Sequence, residues 1–337
     1  MYSSKIVGLG KYIPEKVVTN DDLTRFMDTS DEWIRERTGI EERHWVEEGD
    51  GNTTSGMAYK ATMQALERAG MKPEEIDFII FATLSPDYFF PGSGVLLQDL
   101  LGIPNVGALD VRNQCSGFVY ATAVADQFIK TGMYKNVLVV GSEVHSTGLD
   151  ISTRGRGVAV LFGDGAGAMI LTRDSDTSRG YLAHNLHSQG KYAKELWVEN
   201  PGSRTPTAKV IENASKNPED ISYYPYMNGN YVFKHAIVRF QEAIGEALKD
   251  AGLSVNDIDM FIPHQANLRI TQFVQKQLGL SDNQVFSNIQ KYGNTTAASI
   301  PIALTEAWEQ GKFKTGDILV QASFGSGFTW GANLYKW

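Results

Sequence analysis

A chain of 337 residues is long enough for one large domain or two ordinary ones, so a sizeable core is within reach. Its hydrophobic content of 42% and charged content of 21% are those of a soluble globular protein, and 31 basic against 39 acidic side chains, a formal charge of −8, make it a poor general binder of nucleic acid. A single cysteine excludes an intrachain disulfide, a zinc ribbon and a CxxC redox pair, and favours a cytoplasmic location.

In chain order, Met1 to Gly10 lacks a basic segment followed by an apolar stretch and a cleavage site, and reads as a first strand at Lys5–Gly8. No apolar run reaches the length of a bilayer span, so no membrane association is expected. Gly8-Leu9-Gly10 has no helix directly after it. A helix ends at Ala65–Ala69 with Gly70 beyond its last turn, and Ile76-Asp77-Phe78-Ile79-Ile80 begins a strand. A strand at Val106–Val111, a helix at about Gly117–Lys130 and a strand at Val137–Gly141 follow. Gly163-Asp164-Gly165-Ala166-Gly167 leads into another β-type run, Met169–Thr172, whereas a dinucleotide site needs a helix N-terminus there. The stretch Leu196–Asn230, polar and carrying Pro201, Pro206, Pro218 and Pro225, reads as an elaborated surface excursion. A strand at Met260–Ile262, a helical run at Ala297–Trp308 and a Gly-rich closing turn at Phe324–Gly331 complete the chain.

Two segments repeat. Ala65–Met71 resembles Ala247–Leu253, and Ile76–Ile80 resembles Ile258–Ile262, each pair 182 residues apart. Gly132 and the strand after it resemble Gly311 and the run Asp317–Val320, 179 residues apart, and carrying that spacing back without a gap sets Cys115 on Asn294. Strands that alternate with helices imply mostly parallel sheets with helices against them. The expected fold is therefore layered α/β, built of two halves, 1–175 and 176–337, about a pseudo-two-fold axis on which Cys115 and Asn294 face one site.

Cys115 lies in Asn113-Gln114-Cys115-Ser116-Gly117-Phe118, at a helix start whose free N–H groups favour a thiolate. Alone, it reads equally as a small buried hydrophobe. His264, in Pro263-His264-Gln265-Ala266-Asn267, sits at a strand end, where open α/β sheets place ligands. Asn294, in Gly293-Asn294-Thr295, reads in isolation as a helix N-cap.

Taken in order, Thr29-Ser30-Asp31-Glu32-Trp33-Ile34, Cys115-Ser116-Gly117-Phe118, Gly163–Gly167, His264-Gln265-Ala266-Asn267, Gly293-Asn294-Thr295 and Phe324–Gly331 resemble β-ketoacyl-acyl-carrier-protein synthase III, nearly end to end. The resemblance implies a thiolase-like fold, a homodimer and a catalytic trio of Cys115, His264 and Asn294. It implies that Trp33 and Arg156 flank the adenine of coenzyme A, with Thr29 and Arg37 nearby, and that Lys234 and Arg269 meet an acidic carrier protein. Phe90, or Phe89 one position earlier, matches the residue that reaches the partner subunit's acyl pocket. The reaction implied is decarboxylative condensation of an acyl-CoA primer with malonyl-acyl carrier protein, initiating fatty acid synthesis. The backbone N–H groups of Cys115 and Ser326 are candidate oxyanion donors. No metal or other cofactor is expected. Arg112-Asn113-Gln114 before the cysteine, Ser326 in place of a glycine, and the long excursion depart from the family pattern. They leave room for a related acyltransferase or ketosynthase of secondary metabolism. A degradative thiolase would need a second cysteine, and a binding protein on this fold would be expected to lose one of the trio.

Overall fold

The computed structural model describes residues 2–217 and 219–337; Met1, and Pro218 of the excursion, lie outside the described residues. The first half runs β1 (Ser3–Tyr12), β2 (Val17–Thr19), α1 (Asn20–Leu23), α2 (Asp31–Thr38), β3 (Glu42–His44), α3 (Thr54–Ala69), β4 (Phe78–Ala82), α4 (Ser93–Leu100), β5 (Gly107–Val111), α5 (Gly117–Lys130), β6 (Asn136–Glu143), α6 (Arg156–Ala159) and β7 (Gly165–Asp174). The second runs β8 (Gly180–Ser188), β9 (Leu196–Trp197), α7 (Thr207–Lys216), β10 (Tyr226–Met227), α8 (Gly229–Asp250), β11 (Met260–Pro263), α9 (Leu268–Leu278), α10 (Ile289–Tyr292), α11 (Ser299–Glu309), β12 (Ile318–Gly325) and β13 (Thr329–Lys336).

One topology is used twice. The first sheet has the order β1-β7-β6-β4-β5 and the second β11-β12-β13-β8. In both, one parallel pair (β4 with β6, β11 with β12) is continued by two antiparallel pairings (β6-β7-β1, β12-β13-β8). The first sheet adds β5, parallel to β4; its counterpart is a single bridge between Phe261 and Val285.

The central strands bury both faces, so their residues alternate between two cores, whereas β5 at the edge is exposed or half-buried throughout. Val137 and Val139 of β6 and Met169 and Leu171 of β7 face inward, where they pack with Phe118, Ala121 and Ala125 of α5, Ile300 and Leu304 of α11, and Met260 and Leu319 of the second sheet. Leu138, Val140 and Ile170 face outward onto Met57, Ala61 and Ala65 of α3. Phe261, Val320 and Leu334 likewise face Phe240, Ala243 and Ile244 of α8. The result is five layers, helix–sheet–helix–sheet–helix. Because α5 and α11 form the middle layer, they are apolar nearly all round, and nine residues of each are buried. The pair Gly8 and Gly10 serves packing: a Cβ at either would stand 2.2 Å or less from a carbonyl of α3.

The repeated turns match in detail. Gly70 and Gly252 both take a left-handed conformation past their helices (φ 63° and 68°). Asp77 accepts from the N–H of Asn136 and Asp259 from that of Ile318, each at 2.8 Å, both pairs 182 residues apart. The register at the cysteine is different from the gap-free expectation. Gln114 and Thr296 share a left-handed backbone (φ 45° and 44°), and the 3-10 turns 114–116 and 296–298 lead into α5 and α11. Cys115 is thus equivalent to Ala297, not Asn294. The spacing falls from 182 to 179 only inside the helices, because α5 has 14 residues and α11 has 11.

Candidate active site

Cys115 is held in the turn before α5 by the closing hairpin. Ser323 Oγ donates to its carbonyl at 2.6 Å, and Ser116 Oγ donates to the carbonyl of Thr329 at 2.9 Å. A Cβ at position 325 would lie 2.6 Å from Cys115 Cβ and 3.2 Å from its sulfur, so only glycine fits beside the thiol. The amides of Cys115 itself and of Ser326 are directed at the sulfur and lower its pKa. Burial, and after it the charge of Glu143, outweigh them and push the thiol up to about 12. The thiolate expected from the helix start is therefore not the resting form: the turn's donors are present, but the sulfur is only 7% exposed, and desolvation is the larger effect. Ser326 takes no left-handed backbone angle, so its Cβ is accommodated.

His264 caps β11, where its N–H donates to the Ala322 carbonyl at 2.8 Å. Its Nδ1 lies 2.7 Å from Ser299 Oγ, which also accepts from the N–H of Gln265 at 3.3 Å. No other acceptor for the Ser299 hydroxyl is found among the described residues, so we assign its proton to Nδ1 of His264, which leaves the imidazole hydrogen on Nε2. That Nε2 is buried and without a partner among the described residues. Burial lowers the histidine to about 3, so it is neutral.

Asn294 is tied at three points. Its N–H donates to Leu161 O at 2.8 Å, its carbonyl accepts from Gly163 N at 3.2 Å, and its Oδ1 accepts from Thr296 N at 2.9 Å. With Oδ1 engaged, the amide orientation is fixed and Nδ2 is left to donate. The N-cap of α11 is Ala298, so the helix-cap reading of Asn294 does not hold.

Sequence reasoning missed the groups behind these three. Glu143 is buried at the end of β6 and accepts from Ser85 Oγ at 2.6 Å, Thr83 Oγ1 at 3.0 Å, and the N–H groups of Leu84 and Ser85. His145 Nε2 lies 2.7 Å from Thr296 Oγ1. A carboxylate closing an otherwise apolar strand was the available signal, since an unpaired charge is costly to bury there.

Cys115, His264, Asn294 and Gly325 share one cavity of about 690 Å³. Trp33, Arg37 and Arg269 also line it. The guanidinium groups of Arg37 and Arg156 stand 4.5 and 5.1 Å from the Trp33 ring, within cation–π range. Arg156 and Thr29 do not themselves line the cavity, and Thr29 Oγ1 is buried without a partner. Lys234 is exposed on α8 and lies off the cavity wall. Phe89 and Phe90 are 69% and 80% exposed and lie off it too. The 196–230 segment is more than a surface excursion. Its β9–β10 pair and the chain around it bring Leu196, Ile221, Tyr224 and Met227 to the cavity wall. Its polar, proline-rich composition concealed the few apolar side chains that turn inward.

Fold and cavity together define a class, the acyl-transferring condensing enzymes. The model of the 3-oxoacyl-[acyl-carrier-protein] synthase III family matches residues 109–190, and that of its C-terminal part matches residues 248–337. A β-ketoacyl-[acyl-carrier-protein] synthase III of Caldanaerobacter subterraneus is 45% identical over 98% of this chain and 97% of its own. The crystal structure of the Aquifex aeolicus 3-oxoacyl-[acyl-carrier-protein] synthase III superposes with a TM-score of 0.90 at 42% identity, covering 99% of this chain and 100% of that one. The priming β-ketosynthase of the R1128 polyketide pathway has a TM-score of 0.88 at 31% identity, over 99% and 96%. The chain belongs to the 3-oxoacyl-[acyl-carrier-protein] synthase III family.

Proposed function

We propose that the chain joins an acyl-CoA primer to malonyl-acyl carrier protein, with loss of CO₂, through an acyl thioester on Cys115. The sulfur attacks the primer's thioester carbonyl, and the oxyanion is held by the N–H groups of Cys115 and Ser326. On collapse the bond to coenzyme A breaks, and the thiol proton leaves with it. The malonyl C–C bond then breaks. The electron pair becomes an enolate whose oxygen accepts from His264 Nε2 and Asn294 Nδ2. The enolate carbon attacks acyl-Cys115, the C–S bond breaks, and the sulfur recovers a proton from solvent.

The observation that carries this reading is that the unpartnered Nε2–H of a neutral, buried histidine, a fixed asparagine amide and the only thiol line one cavity. Decarboxylation creates its own nucleophile and needs donors rather than a base, which is what a histidine held near pKa 3 supplies. The pairing of Trp33 with Arg37 and Arg156 supports an adenine site there, with Thr29 nearby. The exposed cations Lys234 and Arg269 suit an acidic carrier protein. A homodimer fits the unpaired outer edge of β5 and the exposed Leu109, Phe89 and Phe90, and Phe90 would then reach the partner's acyl pocket. No helix among the described residues is long and apolar enough to cross a membrane, and the free cysteine supports a cytoplasmic setting.

Intact-protein mass spectrometry after incubation with an acyl-CoA series tests the reading. A single acyl adduct is expected on the wild type and none on Cys115→Ala. An adduct that survives the substitution, or no adduct with any member of the series, sinks it.

A further inference from the structure

Arg43, on β3, is the largest fully buried side chain of the protein and has no role in the chemistry above. Burial lowers its guanidinium to about 10, so it remains charged at neutral pH. Among the described residues no carboxylate pairs with it directly. Instead it donates to three acceptors on two segments: to Val18 O of β2 at 3.1 Å and Asn20 Oδ1 of α1 at 2.8 Å, and to Val160 O at 2.8 Å. Its Nε is buried without a partner among the described residues. A buried cation met mainly by carbonyl groups is expensive, and apolar packing alone would not require it.

Two of its contacts, Asn20 and Val160, lead to the site. Asn20 passes the link on through its Nδ2, which donates to Asp31 Oδ1 at 2.8 Å, and Asp31 opens α2, the helix of Trp33 and Arg37. Val160 precedes Leu161, whose carbonyl accepts the N–H of Asn294, and Gly163, which donates back to the Asn294 carbonyl. The stem of Arg43 packs against the residue preceding Asn294, since a Cβ at Gly293 would lie 3.3 Å from Arg43 Cβ. We infer that Arg43 is a positioning residue that sets the Asn294 turn and the coenzyme-facing helix α2 against each other, through Val160 and Asn20. The inference rests on the reading of Asn294 as an enolate donor.

The test is a double-mutant cycle on malonyl-thioester decarboxylation, with Arg43→Lys, Asn294→Ala and the double variant, and thermal melting of each as the folding control. A displacement of about 1 Å at a reacting group costs on the order of 10²-fold, so Arg43→Lys is expected to lower decarboxylation by about 10- to 10²-fold. In the Asn294→Ala background it should cost less than about threefold further, since the group it positions is gone. It should also raise KM for acyl-CoA while leaving the maximal rate of Cys115 acylation nearly unchanged. Asn20→Ser, which removes the α2 arm at both its bonds, to Arg43 and to Asp31, and leaves the bond from Arg43 to Val160, should raise that KM without lowering decarboxylation, and this variant serves if Arg43→Lys does not fold. Equal losses in both Asn294 backgrounds, or an unchanged KM in both Arg43→Lys and Asn20→Ser, would overturn the inference. If Asn294→Ala alone decarboxylates at the wild-type rate, the enolate-donor reading fails, and the inference with it, whereas a KM effect that persists would still mark the α2 arm.

Discussion

The thiol of Cys115 gives the sharpest quantitative handle on the site. Burial and Glu143 take it from 9.0 to about 12, three pH units, so at any pH below 9 the empty enzyme holds roughly 10³-fold less thiolate than a free cysteine, about 4 kcal/mol. Iodoacetamide reacts with the thiolate, and intact mass reports the adduct directly. The alkylation rate should rise about tenfold per pH unit from about pH 6 to 10 without reaching a plateau. Glu143→Gln removes the charge with little change of shape, and should move the whole curve to lower pH. The same shift has a stability consequence of definite sign. The folded pKa lies above the unfolded one, so the stabilisation is complete below about pH 9 and is lost as pH rises towards 12. Cys115→Ala should accordingly melt with less alkaline sensitivity than the wild type. A plateau in alkylation near neutral pH would show a resting thiolate, and would refute the claim that desolvation outweighs the two amides at the sulfur.

The remaining expectations follow from the proposed donors and the proposed dimer. His264 is held at about 3 by burial, so malonyl decarboxylation should be flat from about pH 8 down to 5; an acidic limb near 6.5 that vanishes in His264→Ala would mean the imidazole titrates normally in the site. His264→Ala and Asn294→Ala should each lower decarboxylation by roughly 10²-fold, the scale of one lost oxyanion donor, and slow acylation of Cys115 much less; equal losses in the two half-reactions would remove the enolate assignment. Phe90→Ala should shift relative kcat/KM towards longer acyl-CoA substrates, since a large ring at a pocket floor excludes chains by overpacking worth about 1–3 kcal/mol. Phe89→Ala beside it fixes the register, and an unchanged chain-length profile in both would assign selectivity elsewhere.

The layered fold and its duplication were legible in the sequence because they rest on local rules. Gly70 and Gly252 mark helix ends by their left-handed backbone, and Asp77 and Asp259 occupy one turn twice, so their residue types recur at a fixed spacing. The register at Cys115 was not legible. α11 is three residues shorter than α5, both helices are buried and mostly apolar in the middle layer, and their few polar residues, such as Asp126 and Glu306, do not mark where the deletion falls. The resting state of the sulfur was hidden for a related reason. A helix start is visible in sequence, but its weight against desolvation depends on Gly325 and the closing hairpin, some 210 residues away. In sequence Glu143 looks like the end, and Arg43 like the middle, of an ordinary strand. Only the fold shows that the partners of Glu143 come from the 83–85 turn and those of Arg43 from β2, Asn20 and the 160 loop.

Two of the departures from the family pattern, Ser326 and the long 196–230 segment, are joined in space. The hydroxyl of Ser326 donates to the carbonyl of Leu196, the first residue of β9, which pairs with Met227 of β10. A glycine at 326 supplies the same backbone amide to the sulfur but cannot make this bond. The segment has little core of its own: Val210 is the one buried residue of α7. A polar stretch of this kind holds its shape through pins rather than through packing. Those pins are Asn200 N–H on Ser222 O at 2.9 Å, Tyr223 Oη on Val210 O at 2.8 Å, the Arg154–Glu219 pair at 3.3 Å, and Ser326 at the base. Because Ile221 and Tyr224 reach the cavity wall from the same segment, the loop whose amide is directed at the sulfur and this part of the wall share one anchor. The serine therefore leaves the proposed chemistry, which uses only its N–H, unaltered, and acts on the shape of the space in front of it.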